Sequence, residues 1–328
     1  MPWDRLSALP SSKSFIIALA VVWMTAALPA SAQLYWDPDL VAAGNNTSTG
    51  AGLGGTGTWN TGTANWYNGS TDVVWASGSN AIFTGSAGTV TLDAAQSAAS
   101  VSFTSNGYTL TGGSLTVGPS PANYNVDAGF TATINSVIAG SATMTKIGGG
   151  TLVLGNSANT NTAVSGEGGW RIDGGTLRIL ADESLGAALP DTARNTITDI
   201  QLNQSTIQFG ASMDLSINRR TKVNTNSTSN LGDAVIDTNG HEVHWYGSIQ
   251  GGVGSIRVTN SGPNPGILIL GTDHLASINP FGSALPAGSI NLTVMGGAIV
   301  QTSGQVTPTG GELGSETGAG GAILSIKL

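Results

Sequence analysis

Residues 146–155 read KIGGGTLVLG, and residues 174–179 read GGTLRI. Thr151 and Thr176, which open the two Thr-Leu pairs, lie 25 residues apart. A third copy, GGSLTV, occupies residues 112–117. In each, paired glycines precede a short run in which apolar and polar or β-branched side chains alternate. Glycine tolerates the positive φ of a tight turn, and period-two alternation marks a half-buried strand. A longer unit recurs around these phrases. Residues 131–155 read TATINSVIAGSATMTKIGGGTLVLG, and residues 242–271 read EVHWYGSIQGGVGSIRVTNSGPNPGILILG. Both run strand, small-residue turn, strand, glycine turn, strand, and the second has a few extra residues around Pro263 and Pro265. A coil of roughly 20 to 30 residues with two or three short strands cannot bury its apolar face alone. Stacked coils can, with their strands pairing in parallel about 4.8 Å apart. The repetition predicts a β-solenoid. A β-sandwich array is the alternative, and it would not carry this irregular coil repeat.

The rest of the chain has the same texture. Runs of β-branched residues bounded by Gly or Asn recur at 100–103, 108–110, 114–117, 131–134, 151–154, 176–179, 206–209, 234–237, 242–245, 267–270 and 290–294. One helical-looking patch, 181–189, has Asp182 as a candidate cap and stops at Pro190. Gly, Ser, Thr and Asn together make 145 of the 328 residues, and only 9% are charged. An ordinary globular domain has roughly 25% charged residues. Such a chain is too poor in charge and too rich in branched apolar residues for disorder. It lacks the strict glycine period of collagen and the 3.6-residue period of a helical protein. Low charge suits stacking, because like charges would lie over one another. Asn and Thr can instead bond their copies in the next coil.

Arg5 and Lys13 precede a 14-residue apolar run, 15–28, and Ala30 and Ala32 then form an Ala-x-Ala site before Gln33. This is the pattern of a secretory signal peptide over residues 1–32, cleaved before Gln33. The run falls short of the ~20 residues that span a bilayer, and no later segment of the mature chain reads as transmembrane. Residues 33–97 form an irregular Gly/Trp-rich stretch holding Trp36, Trp59, Trp66 and Trp75. These are expected to fill a core otherwise built of small residues. The alternative is a platform on which sugars stack. Solenoid texture begins at residue 98 and runs to 328.

Lys146, the glycine run through Gly149 and Gly150, and Thr151, Leu152 and Leu154 resemble the core of the autotransporter-associated β-strand repeat family. Gly174, Gly175, Thr176, Leu177 and Ile179 resemble its closing strand. Leu185-Gly186-Ala187 resembles the insert that follows in longer members, and residues 232–247 resemble the opening of a further unit. The Trp-Asp, Gly-Thr-Trp and Asn-Trp pattern at 36–37, 57–59 and 65–66 resembles the leader region of such proteins. The resemblance covers roughly residues 33–310. It implies an all-β fold, a right-handed parallel β-helix with an irregular Gly/Trp-rich N-terminal β cap. It also implies a passenger secreted from, or exposed on, a Gram-negative-type bacterium. Members often continue into an outer-membrane barrel or a sorting tail. This chain stops within a strand-like run at 323–328, which leaves two readings: a fragment, or a stand-alone secreted solenoid.

The inventory for chemistry is thin. There is no cysteine, so thiol nucleophiles, disulfides and cysteine-ligated metals are excluded. A net charge of -8 argues against nucleic acid and anionic membrane surfaces as partners. Gly52, Gly54 and Gly57 match a dinucleotide spacing, but no strand precedes them and no helix follows. Residues 251–254 begin like a calcium-binding nonapeptide and then lack its Asp. His241 and His244, if in a strand, point to opposite faces and cannot share a metal. A polysaccharide-active site would draw on Asp173, Asp199, Asp214, Asp233, Asp237 and Asp273, with Arg171, Arg178, Arg219, Arg220 and Lys222. Asp173 with Arg171 and Arg178 is the densest group, and residues 219–222 read as a solvated loop. Glycoside hydrolysis needs two carboxylates about 5 to 9.5 Å apart, and nothing in the spacing supplies them. No catalytic residue, cofactor or metal ligand emerges. The expected function is a non-enzymatic, adhesin-like passenger or structural protein whose partner is an extracellular polysaccharide or a host or cell-surface protein. The alternatives are a polysaccharide lyase or glycosidase, and a carbohydrate-binding module using the four tryptophans.

Overall fold

A computed structural model describes residues 31–162, 169–187, 200–223, 234–247, 249–251, 254–270, 290–294, 298–302, 313–315 and 323–326. Residues 1–30, most of the expected signal peptide, lie outside them. The strands form three sheets. The first runs through Gln33–Trp36, Asn80–Phe83, Ser100–Phe103, Ala122–Val126, Met144–Ile147, Trp170–Ile172, Ile200–Leu202, Thr221–Val223 and Ile249–Gly251. The second runs through Gly57–Trp59, Thr89–Ala98, Thr109–Val117, Thr131–Ile134, Thr151–Leu154, Thr176–Ile179, Thr206–Phe209, Ala234–Asp237, Gly254–Thr259, Ile290–Val294 and Leu313–Ser315. The third opens at Met213–Leu215 and continues through Glu242–Trp245, Gly266–Leu270, Ala298–Thr302 and Ile323–Ile326. The chain visits the sheets in rotation, and each strand pairs in parallel with its counterpart one coil away. This is a β-solenoid.

The repeat phrase sets the register. Thr131, Thr151, Thr176 and Thr206 stand in one ladder on the second sheet. Ala132, Leu152, Leu177 and Ile207 form the next, and Ile134, Leu154, Ile179 and Phe209 form another two positions further on. The threonine column faces outward, and the two apolar columns are fully buried. The 25-residue spacing is thus one coil, which brings Thr151 beside Thr176. One continuous apolar core runs from Leu34 to Leu270 inside the sheets.

Glycine makes the corner between the first and second sheets. Gly175 has φ +61°, and a Cβ on it would run into the carbonyl of Gly150 in the preceding coil. Gly148 has φ +78°, and its Cβ would run into the carbonyl of Val126. Both the handedness of the turn and the close approach of successive coils exclude a side chain there.

Several details differ from the sequence reading. The ladders begin at Gln33–Trp36 and Gly57–Trp59, well before residue 98, and Thr89–Ala98 pairs on both sides with the second sheet. What is irregular in the cap is a hairpin, Trp66–Tyr67 with Asp72–Val73, laid antiparallel along the open edge of Gln33–Trp36. It covers an edge whose unpaired backbone would otherwise invite association. Residues 108–110 and 114–117 belong to one strand, Thr109–Val117. Opposite Gly113, the partner strand accommodates Asp93 and Ala94 in a bulge. Within the helical patch, the described residues 181–187 hold one 3-10 turn, Asp182–Leu185.

Candidate functional site

Lys146, the lysine of the repeat phrase, faces inward. It stands in a column between Tyr124 and Ile172 on the first sheet and is fully buried. Its Nζ donates to the carbonyls of Ile147 and Gly148, both at 2.8 Å, and of Gly174 at 3.2 Å. The ammonium therefore ties the glycine corner of its own coil to that of the next. Burial pushes Lys146 down from 10.5 to about 8. The Lys, the glycines and the Thr-Leu run thus form one structural device: a turn, its cation and the strand it feeds. Gly149, Gly150, Gly174 and Gly175 line that corner, and Leu152, Leu154, Leu177 and Ile179 lie in the core beneath it.

The four cap tryptophans plug the end of the solenoid. Trp36, Trp59 and Trp66 are wholly buried and Trp75 is 3% exposed. Trp59 lies 4.9 Å from Trp66 and 4.7 Å from Trp75 between ring centroids, and Trp36 lies 5.2 Å from Trp66. Phe83, Phe103 and Tyr108 extend the plug inward. A stacked sugar needs an open ring face, and none of these four rings offers one.

The polar side chains considered for catalysis are dispersed. Asp173, at the end of Trp170–Ile172 on the first sheet, accepts from Arg171 Nε at 2.7 Å and from Asn203 Nδ2. Asp237, ending its strand of the second sheet, is 5% exposed. It accepts from Gln208 Nε2 (2.8 Å), the Asn239 N–H (3.0 Å), the Ser261 N–H (2.9 Å) and Ser261 Oγ (2.5 Å). Its oxygens are therefore committed to building a turn. Asp214 lies on the third sheet. These three carboxylates occupy different sheets and share no partner. Arg178 neighbours Val153 and Gln208 on the second sheet, away from the Arg171–Asp173 pair. Asp199, Asp233 and Asp273 lie outside the described residues. Arg219 corrects the expectation of a solvated loop: it is 1% exposed and grips the 3-10 turn. Its Nε donates to Asp182 Oδ1 at 2.8 Å, and its terminal nitrogen donates to the Asp182 and Gly186 carbonyls. Among the described residues no group of three or more His, Asp or Glu is arranged to hold a metal ion.

The third sheet carries an outward cluster with open side chains. Glu242 and His244 project from the same face of their strand, while Val243 and Trp245 point into the core. His244 Nε2 lies 2.9 Å from Glu242 Oε1. His244 Nδ1 lies 2.9 Å from the Tyr246 hydroxyl and 3.1 Å from Asp214 Oδ1 in the preceding coil. Asp214 and Glu242 side chains are 68% and 51% exposed. Half-buried Ile267 and Ile269 lie beside Glu242 and His244 in the next coil. His241 falls in the turn before the strand, apart from this face. The sequence signal was available: in 242–246, EVHWY, the polar residues alternate with the apolar ones. A face that mixes carboxylates, an imidazole, a phenol and isoleucine can recognise a surface. Its His is engaged by both acids and by the Tyr246 hydroxyl.

Comparison with known proteins agrees with this architecture. Over 166 residues, 48% of this chain, the sequence is 37% identical to the adhesin BmaC autotransporter of Brucella suis biovar 1 (strain 1330). The chain spans 4% of that protein's length. No protein-family model matches the chain, and no solved structure matches it. The β-solenoid and this relative together fit an autotransporter passenger-type β-helix. No helix among the described residues is long and apolar enough to cross a membrane.

Proposed function

We propose that this chain is an adhesin-like passenger, displayed on or released from a bacterial cell surface, that acts by binding and not by catalysis. The observation that carries the reading is the 37% identity to an autotransporter adhesin in a chain that folds as a parallel β-solenoid. In such a coil stack, side chains from sequence-distant coils come into register on one lateral face. The Asp214, Glu242, His244 and Tyr246 face with Ile267 and Ile269 is the surface best suited to a partner. The partner class is an extracellular polysaccharide or a host or cell-surface protein. Export is assigned to the segment through Ala32, with Ala30 and Ala32 flanking the cleavage step and Gln33 as the new first residue. Cleavage there would remove two hydrogen bonds, from the Asn80 N–H to Ala32 and from Asn80 Nδ2 to Ser31, and leave the Gln33–Trp36 strand whole.

The test is adherence. Beads coated with the exported chain are applied to host cells, matrix proteins and a polysaccharide panel, and each polysaccharide is assayed in parallel for new reducing ends or unsaturated sugars. Saturable adherence that falls for a Glu242→Ala/His244→Ala variant, without cleavage, supports the reading. Polysaccharide cleavage by the purified chain would overturn it.

A further inference from the structure

Between Lys13 and Lys146 the sequence holds no Lys, Arg or His. Among the described residues, this stretch at the N-terminal end of the solenoid therefore supplies carboxylates and no cationic side chain of its own to pair with them. Asp93 and Asp127 have simple answers, since amide donors from Gln96 and Asn125 meet them. Asp37 does not. It follows the Gln33–Trp36 strand directly and is fully buried. Its Oδ2 accepts from Asn45 Nδ2 at 2.5 Å, and its carboxyl also meets that of Asp72, on the cap hairpin. Asp37 Oδ1, Asp72 Oδ1 and Asn45 Oδ1 are all buried with no donor.

Two carboxylates in contact, each with one oxygen out of water and without a donor between them, repel. Burial, then the contact with Asp72, pushes Asp37 up to about 7, and the neighbouring Asp39 adds to the effect. With no Lys, Arg or His between residues 14 and 145, a proton or a cation from solvent is left to neutralise the pair among the described residues. The donor set is all oxygen, from three segments: the strand end, the loop holding Asn45 and the hairpin. Turning the Asn45 amide over, which exchanges its N and O in place, would direct a third oxygen at the same point.

We propose that Asp37 and Asp72, with the Asn45 amide oxygen, bind a hard divalent cation, Ca2+, which fastens the cap hairpin and the 41–53 loop to the first coil. Ca2+ accepts irregular oxygen cages, whereas Mg2+ demands near-octahedral geometry and retains its waters. With two carboxylates, and neutral oxygens and water completing the shell, the affinity belongs in the ~10⁻⁴–10⁻³ M class of extracellular modules. The proposal is independent of what the third-sheet face binds.

Terbium provides the test on the full purified chain. Trp36 adjoins Asp37 in sequence and Tyr67 pairs with Asp72 across the hairpin, so both can sensitise Tb3+ emission. Expected are saturable sensitised emission, displacement by Ca2+ at about 0.1–1 mM but not by equal Mg2+, and at least tenfold weaker emission from D37N/D72N. At ten times its dissociation constant, Ca2+ should raise the melting temperature above that in EDTA by about 2–5 °C. Equal Tb3+ emission from wild type and a folded D37N/D72N would overturn the proposal, and Asp72→Asn alone serves if the double variant does not fold. A shared proton gives a different pattern. Asp37 raised to about 7 makes stability fall as pH rises from about 4 to 7. If that fall is the same in EDTA and in Ca2+, the pair holds a proton and the proposal is wrong.

Discussion

Lys146→Met keeps most of the buried aliphatic stem and removes the ammonium that joins two coils. Three carbonyls, of Ile147, Gly148 and Gly174, then lose their donor inside the corner. An orphaned buried acceptor costs about 1–3 kcal/mol, so the three together cost about 3–9. Removing a buried charge offsets part of this. The drop of Lys146 from 10.5 to about 8 corresponds to about 3 kcal/mol disfavouring the charged form at neutral pH. The net expectation is a loss of about 3 kcal/mol at pH 7. It should be read by urea unfolding and, locally, by hydrogen exchange of the Thr151 and Thr176 amides, which bond the preceding coil. The pH dependence gives a second reading. Between about pH 8 and 10.5 the unfolded lysine binds more proton than the folded one, so wild-type stability should rise across that window. K146M lacks this rise, and the gap between the two proteins should widen toward pH 10. A variant as stable as wild type at pH 7, with no widening gap, would refute the role assigned to the ammonium.

Other substitutions probe the remaining joints. Gly175→Ala combines φ +61° with a collision at the Gly150 carbonyl and should cost more than about 1 kcal/mol by chemical denaturation. Asp182→Ala removes the Asp182 carboxylate from buried Arg219, with an expected loss of about 3–5 kcal/mol and deprotected 3-10-turn amides in hydrogen exchange. Trp66→Ala opens the aromatic plug and should cost about 3–5 kcal/mol in a thermal or urea melt. In wild type the same buried rings should keep their fluorescence unchanged on titration with polysaccharides.

How much of this was legible depends on how local each feature is. The second-sheet strands declared themselves because Thr-Leu-x-Leu alternates cleanly and glycine punctuates it, as at 151–154 and 176–179. The first-sheet strands Trp170–Ile172, Ile200–Leu202 and Thr221–Val223 did not. Three residues are too few to show a period, and buried Gln201 and Thr221 break the expected polarity. Lys146 was recognised as part of a phrase, but only the coil above shows why an ammonium belongs in the core. Arg219 looked solvated because its partner, Asp182, is 37 residues away and one coil removed. Asp37 and Asp72 meet through a hairpin that no short window encodes. The tryptophans were readable as core because few other large side chains compete to fill that end. Contacts between coils decide these cases, and local composition does not carry them.

Every lateral surface and every corner described above depends on the in-register stacking of coils, 20, 25 and 30 residues long between Thr131, Thr151, Thr176 and Thr206. The chain has no cysteine, so introduced pairs can be read without background. Thr151 and Thr176 are ladder partners, as are Thr176 and Thr206, and all three are partly exposed. Parallel neighbours about 4.8 Å apart fall within the Cα range of a disulfide, and residues two coils apart do not. Under mild oxidation T151C/T176C and T176C/T206C should cross-link within the monomer, while T151C/T206C should stay reduced. Cross-linking of T151C/T206C with both neighbouring pairs left open would contradict the solenoid and everything placed upon it.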